Sequence, residues 1–174
     1  KVKPYILDAV LKEMNKSQHY IVDSINNLIN INPNSKIVNA CTDITGFGLL
    51  GHLSEMLEAT NNYQLKMKLE PLKIILDLDH IPLYEGVKEL VDKGFESTFA
   101  PANKIFLKNI DGDKNLRVEL IFNDSILNSS FNNTMLKILI DPQTCGPLVV
   151  SCSSTNAEKL IQLGPWIEIG IVSE

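Results

Sequence analysis

The chain has 174 residues, 44% of them apolar and 21% charged, with 16 basic against 21 acidic side chains and a net charge of −5, a composition suited to a globular domain large enough to bury a core. No apolar run approaches the ~18 residues of a membrane span, and a chain whose lone arginine is Arg117 is a poor candidate for reading a nucleic-acid backbone. Cys41, Cys145 and Cys152 form no C-x-x-C pair, which argues against a disulfide scaffold or a zinc knuckle and for reducing surroundings.

Lys1 to Tyr5 start no signal-peptide pattern, so the expected location is the cytoplasm. Leu7, Val10, Leu11 and Met14 recur at helical spacing, as do Ile21, Val22, Ile25, Leu28 and Ile29, with a break at Asn15-Lys16-Ser17. Asn32-Pro33-Asn34-Ser35 reads as a turn and Ile37 to Cys41 as a short strand. A helix carries Leu49, Leu50, Leu53, Met56 and Leu57 and is expected to end at Asn61-Asn62. Tyr63, Leu65, Met67 and Leu69 then alternate as a half-buried strand. Leu83, Val87, Leu90 and Val91 mark another helix, with Gly94 as its C-terminal cap. Residues 95–115 are weakly patterned. Strands are predicted at Val118–Phe122, Leu136–Ile140 and Leu148–Cys152. A helix capped by Thr155 runs to Leu163 and stops at Gly164-Pro165, and Ile167, Ile169 and Ile171 alternate as a closing strand. The whole reads as one domain of mixed α/β type over residues 1–174.

The most informative stretch is Asn39 to His52. Gly46, Gly48 and Gly51 satisfy G-x-G-x-x-G, and Glu70 lies at a distance suited to a ribose contact. A dinucleotide turn, however, places its glycines directly after the strand, whereas Thr42-Asp43-Ile44-Thr45 intervenes here, and no repeated βαβ units follow. The intervening carboxylate suggests another reading. Asp43, at a strand end beside a glycine turn and a helix start, suits a hard cation such as Mg²⁺, and the helix amides would favour an anion nearby. Spacing alone leaves this open against a plainer reading in which Asp43 caps the turn and the glycines permit tight packing.

The second stretch, Asp141-Pro-Gln-Thr-Cys-Gly-Pro147, is a rigid loop. Cys145 could act as a nucleophile, but no histidine accompanies it in sequence, and a packed structural cysteine is the better reading. His52 is read as bonding to backbone rather than moving protons. Asp77, Asp79 and His80 are read as a solvated connection rather than a metal site. Asp111-Gly-Asp113-Lys-Asn115 imitates an EF-hand start, yet Leu116 and Phe122 occupy its glycine and glutamate positions.

Thr42 to His52 resembles the signature of selenophosphate synthetase (selenide, water dikinase), and Asp141-Pro142-Gln143-Thr144 resembles that family's Asp-Pro-Gln-Thr-Ser-Gly-Gly run. The resemblance implies the C-terminal domain of an enzyme built like aminoimidazole ribonucleotide synthetase, a mixed β-sheet flanked by helices. It implies synthesis of selenophosphate, AMP and phosphate from selenide, ATP and water, with Mg²⁺, by a homodimer. It also implies that Asp43 is a metal ligand, and that the nucleophile and most nucleotide contacts belong to an N-terminal domain outside this chain. No catalytic residue is assigned here. Cys145 and Pro147 replace the family's Ser and second Gly, and Tyr5-Ile6-Leu7 replaces a Leu-Gly-Thr-Gly run. Two alternatives are therefore carried: another ATP-dependent member of the superfamily, and a catalytically silent binding or dimerisation module.

Overall fold

The computed structural model describes residues 2–109, 118–122, 125–127 and 133–174. They fall into two compact units, Lys1–Asp43 with Gly146–Glu168, and Ile44–Cys145 with Ile169–Glu174. The EF-hand-like stretch from Asp111 to Asn115 lies outside the described residues.

The first unit contains α1 (Pro4–Met14), α2 (His19–Ile31), β1 (Ala40–Asp43), β5 (Leu148–Ser151) and α7 (Ser154–Leu163). β1 and β5 pair antiparallel, with Asp43 opposite Leu148. The first strand thus starts later than Ile37, although the Asn39 amide already donates to the Ser151 carbonyl. Its core gathers Leu28, Ile37 and Leu160, with Ile25, Val38, Val150, Cys152 and Trp166 packed around them. Trp166 Nε1 donates to Ser24 Oγ at 2.7 Å, and that hydroxyl donates to the Ile21 carbonyl, so the polar atoms brought inside are satisfied. Ser153, not Thr155, caps α7 by accepting from the Asn156 amide. α1 forms where the helical spacing predicts a helix, yet no residue of it is buried among the described residues, and Leu7 and Leu11 stand about half exposed.

The second unit holds α3 (Gly48–Lys66), β2 (Lys73–Asp77), α4 (Val87–Asp92), α5 (Ala100–Asn103), a 3-10 turn (Lys104–Asn109), β3 (Val118–Phe122), β4 (Ser125–Leu127), α6 (Asn133–Leu139) and β6 (Gly170–Ser173). Its sheet runs β4-β3-β2-β6. β2 and β3 are parallel, whereas β6 and β4 join antiparallel, which makes the sheet mixed as expected. Ile74, Leu76, Val118 and Leu120 are buried, alternate residues of the two central strands, and Leu50, Leu53, Leu57, Met135, Leu139 and Ile140 complete the core.

Five readings are corrected here. α3 does not end at Asn61-Asn62. Leu53, Leu57 and Asn61 lie four residues apart and are all buried, and Asn61 uses its amide to bond both the Leu72 amide (2.7 Å) and the Leu72 carbonyl (2.8 Å). The alternating Tyr63, Leu65, Met67 and Leu69 are therefore exposed residues on and just beyond the helix, not a strand. Lys73–Asp77, where the sequence reading places no strand, is the centre of the sheet. Leu136–Ile140 is helix and helix end; Met135 and Leu139 are buried four apart, and a short apolar run fits either structure until its neighbours choose. Ile167 is exposed coil, and the last strand begins only at Gly170.

The α4 terminus agrees with expectation. Gly94, at φ +85°, donates to the Val91 carbonyl, and Phe95 donates to the Leu90 carbonyl, the paired bonds of a Schellman motif.

Candidate functional site

Asp43 ends β1 and is exposed. Among the described residues its carboxylate accepts no hydrogen bond, so the reading in which it caps the following turn is set aside. The N-cap of α3 is Phe47, which has no capping side chain. Nor is the turn of dinucleotide type, since β1 pairs antiparallel with β5 rather than opening a parallel βαβ unit. Among the described residues no group of three or more His, Cys, Asp or Glu is gathered in ligating geometry. Asp79 donates its amide to Asp77 Oδ1 at 3.0 Å and His80 Nδ1 lies 3.2 Å from Asp77 Oδ2, an exposed turn at the end of β2, in line with the solvated reading.

In the second unit the Thr45–Gly48 turn and the Asp141–Cys145 loop are fastened together. The Thr45 carbonyl accepts from the Gly48 amide at 3.1 Å and from the Gln143 amide at 2.9 Å. Asn103, itself buried, donates through Nδ2 to the Gly46 carbonyl (2.8 Å) and to the Ile140 carbonyl (3.0 Å). Asn103 sits in the weakly patterned segment, where nothing in the sequence marks it out. Its truncation to Ala would leave two inward-facing carbonyls without their donor, and we expect a loss of about 2 kcal/mol in urea unfolding.

Gly48 takes φ +68°, and a Cβ there would lie 2.7 Å from the Ile140 carbonyl carbon, 2.8 Å from Leu139 O and 2.9 Å from Asp141 O. Gly46 differs: a Cβ on it would meet nothing within 4 Å. Phe47 packs against Phe106 edge-on at 5.6 Å and against His52 at the same distance.

His52 is buried in the second turn of α3, and its partners are side chains rather than the backbone predicted for it. Nε2 lies 3.2 Å from Thr45 Oγ1, and Nδ1 lies 3.2 Å from Glu55 Oε2. Asp141 is half-buried. Burial and the neighbouring Glu96 raise its pKa, while the Ser97 amide bonding to it acts the other way. Glu96 is itself held below the usual carboxylate range by its bond to Lys137.

Two of the three thiols are poorly suited to attack. Burial first, then Asp43, pushes Cys41 up; burial and Glu168 do the same for Cys152. Both therefore stay protonated where an attacking thiolate is needed. Cys145 is exposed, not packed as expected, and adopts φ +57° in its rigid loop.

A mixed sheet with helices, a carboxylate ahead of a Thr-Gly-Phe-Gly turn, and an Asp-Pro-Gln-Thr loop bonded to that turn define a class. A family model described as AIR synthase related protein, C-terminal domain, matches residues 11–164, and the chain belongs to that family. Among curated relatives, the selenide, water dikinase of Caldanaerobacter subterraneus subsp. tengcongensis is 34% identical over 151 residues, covering 87% of this chain and 33% of the relative. That of Clostridioides difficile is 29% identical over 163 residues, covering 90% and 40%. That of Campylobacter jejuni is 28% identical, covering 90% and 39%. The chain thus spans about a third to two fifths of the length of these relatives. Among the described residues no helix is long and apolar enough to cross a membrane.

Proposed function

We propose that this chain is the C-terminal domain of a selenophosphate synthetase, and that Asp43 supplies an oxygen ligand to the Mg²⁺ that accompanies ATP. The whole enzyme would make selenophosphate, AMP and phosphate from selenide, ATP and water, as a homodimer in the cytoplasm. The observation that carries the reading is the Asp43 carboxylate inside the Thr42–His52 signature, exposed and accepting no hydrogen bond among the described residues. One such group fits this ion, because Mg²⁺ keeps several waters and is usually held by one or two carboxylates together with substrate phosphates. When bound, the ion would neutralise charge on the triphosphate and align it for attack.

The chain's own residues then have separable tasks. Asp43 contributes charge. Asn103 and the Gln143 amide hold the glycine turn in one conformation against the Asp141 loop. The first turn of α3, which has no side-chain cap, leaves amide hydrogens for an anion. The nucleophile and most nucleotide contacts would lie in the part of the relatives that this chain does not span.

Phosphorus NMR on the full-length protein with ATP, selenide and Mg²⁺ is expected to show selenophosphate, AMP and phosphate appearing together. The 174 residues alone are expected to leave ATP intact, and selenophosphate made by them would overturn this division of labour. Cys145 and Pro147, in place of the family's Ser and Gly, favour a second reading, a silent binding or dimerisation module. It would take precedence if the full-length protein bound nucleotide and left it whole.

A further inference from the structure

α1 is built as an amphipathic helix, but only half of its apolar stripe is used. Ile6, Val10 and Met14 form one row at four-residue spacing and Leu7 and Leu11 the adjoining row, with Lys12 on the opposite face. The first row is half-buried, whereas Leu7 and Leu11 stand 51% and 46% exposed. Little of local origin stabilises the helix. It is 11 residues long, its N-cap Lys3 makes no side-chain bond, and its first turn carries no acidic residue. Isolated helices under about 12–15 residues are marginal in water, so a segment like this one draws its stability from packing its apolar face.

The family comparison and the size of the stripe together point to what covers it. The family model starts at residue 11, so Pro4–Val10, most of α1, lies ahead of the stretch that the family shares. The relatives extend far beyond that stretch, since this chain spans only about a third to two fifths of their length. A helix of this length offers a face about 16 Å long and about 10 Å across. That is far below the ~800 Å² per partner that a stable interface between separate molecules buries. A contact within one polypeptide needs no such area, because covalent linkage already holds the two surfaces at high effective concentration. We propose that the Leu7–Leu11 row of α1 is a docking stripe for an apolar surface of the same polypeptide, in the part of the relatives that this chain does not span. The inference uses neither the metal nor the reaction, and it stands or falls apart from them.

The test is photo-cross-linking in the full-length protein. A benzophenone-bearing residue replaces Leu7, Leu11 or, as the control on the opposite face, Lys12. Isotopically labelled and unlabelled copies are mixed before irradiation, and the joined peptides are identified by mass spectrometry. Leu7 and Leu11 are expected to join peptides of the same copy from outside these 174 residues, at several times the yield from Lys12. Products joined mainly to residues 15–174 would mean that this chain covers its own stripe, and products joining labelled to unlabelled copies would mean that a second copy does. Either result overturns the proposal, as does a yield no higher than that of Lys12. Hydroxyl-radical footprinting reads the same contact without any substitution. In the native full-length protein Leu7 and Leu11 should be labelled at a small fraction of their rate in urea, and labelling at about half that rate, as their exposure here would give, overturns the proposal.

Discussion

Replacing Asp43 by Asn in the full-length protein should lower selenide-dependent ATP cleavage by about a hundredfold or more, with the fold intact. The substitution keeps shape and removes one negative charge from a side chain that is exposed and makes no hydrogen bond among the described residues. Little stability is therefore at stake, within about 0.5 kcal/mol for a surface position. Metal assistance to phosphoryl chemistry contributes several kcal/mol, and each 1.4 or so corresponds to about a tenfold change in rate. A raised Mg²⁺ requirement should accompany the loss, and excess Mg²⁺ should recover part of it. Wild-type turnover with wild-type metal affinity would remove Asp43 from the site.

Gly48→Ala should be among the most damaging small changes in the second unit. A methyl group there meets three backbone atoms between 2.7 and 2.9 Å away, none of which is a flexible side-chain end that could swing aside. The φ of +68° adds its own cost for any residue with a Cβ. Together these give about 3 kcal/mol, read as a lowered midpoint in urea unfolding. Gly46→Ala is the control: with open space on its Cβ side, it should range from neutral to about 1 kcal/mol stabilising. A loss of activity in that variant without a loss of stability would mean that the space at Gly46 belongs to a ligand. Equal destabilisation by both changes would contradict the packing of the Thr45–Gly48 turn against residues 139–141.

How far the sequence foretold this molecule depends on whether the signal was local. Gly94 closes α4 as its type and position suggest, because a Schellman cap is written in one residue and its near neighbours. The break at Asn15-Lys16-Ser17 likewise falls between α1 and α2. Where tertiary contacts decide, the pattern misleads. Asn61 looks like a helix breaker on propensity, yet two bonds to Leu72 make it a buried anchor in mid-helix. Leu136–Ile140 is apolar enough for strand or helix, and its packing settles the matter as helix. β2 carries its own pattern, Ile74 and Leu76 alternating with half-buried residues as a central strand should.

The candidate site divides in the same way. Asp43, the glycine turn and the Asp141 loop stand out because their residue types are unusual for their surroundings. Asn103 does not, since a single asparagine in a weakly patterned stretch carries no periodicity, and its value comes from two carbonyls distant in sequence. His52 stands out in the same stretch, but its side-chain partners do not. A residue seven positions from Thr45 reaches it only because the turn folds back over the first turns of α3. Cys145 reads as a packed residue in sequence and is exposed, at positive φ in its loop.

Trp166 is the chain's only tryptophan, and its indole is bonded to Ser24 beside Leu28, Ile37 and Leu160. Its fluorescence is therefore a built-in gauge for the unit that holds it. If emission and calorimetric heat change at one temperature, the two units melt as a single cooperative block. If they part company, each half of the molecule keeps its own thermal budget.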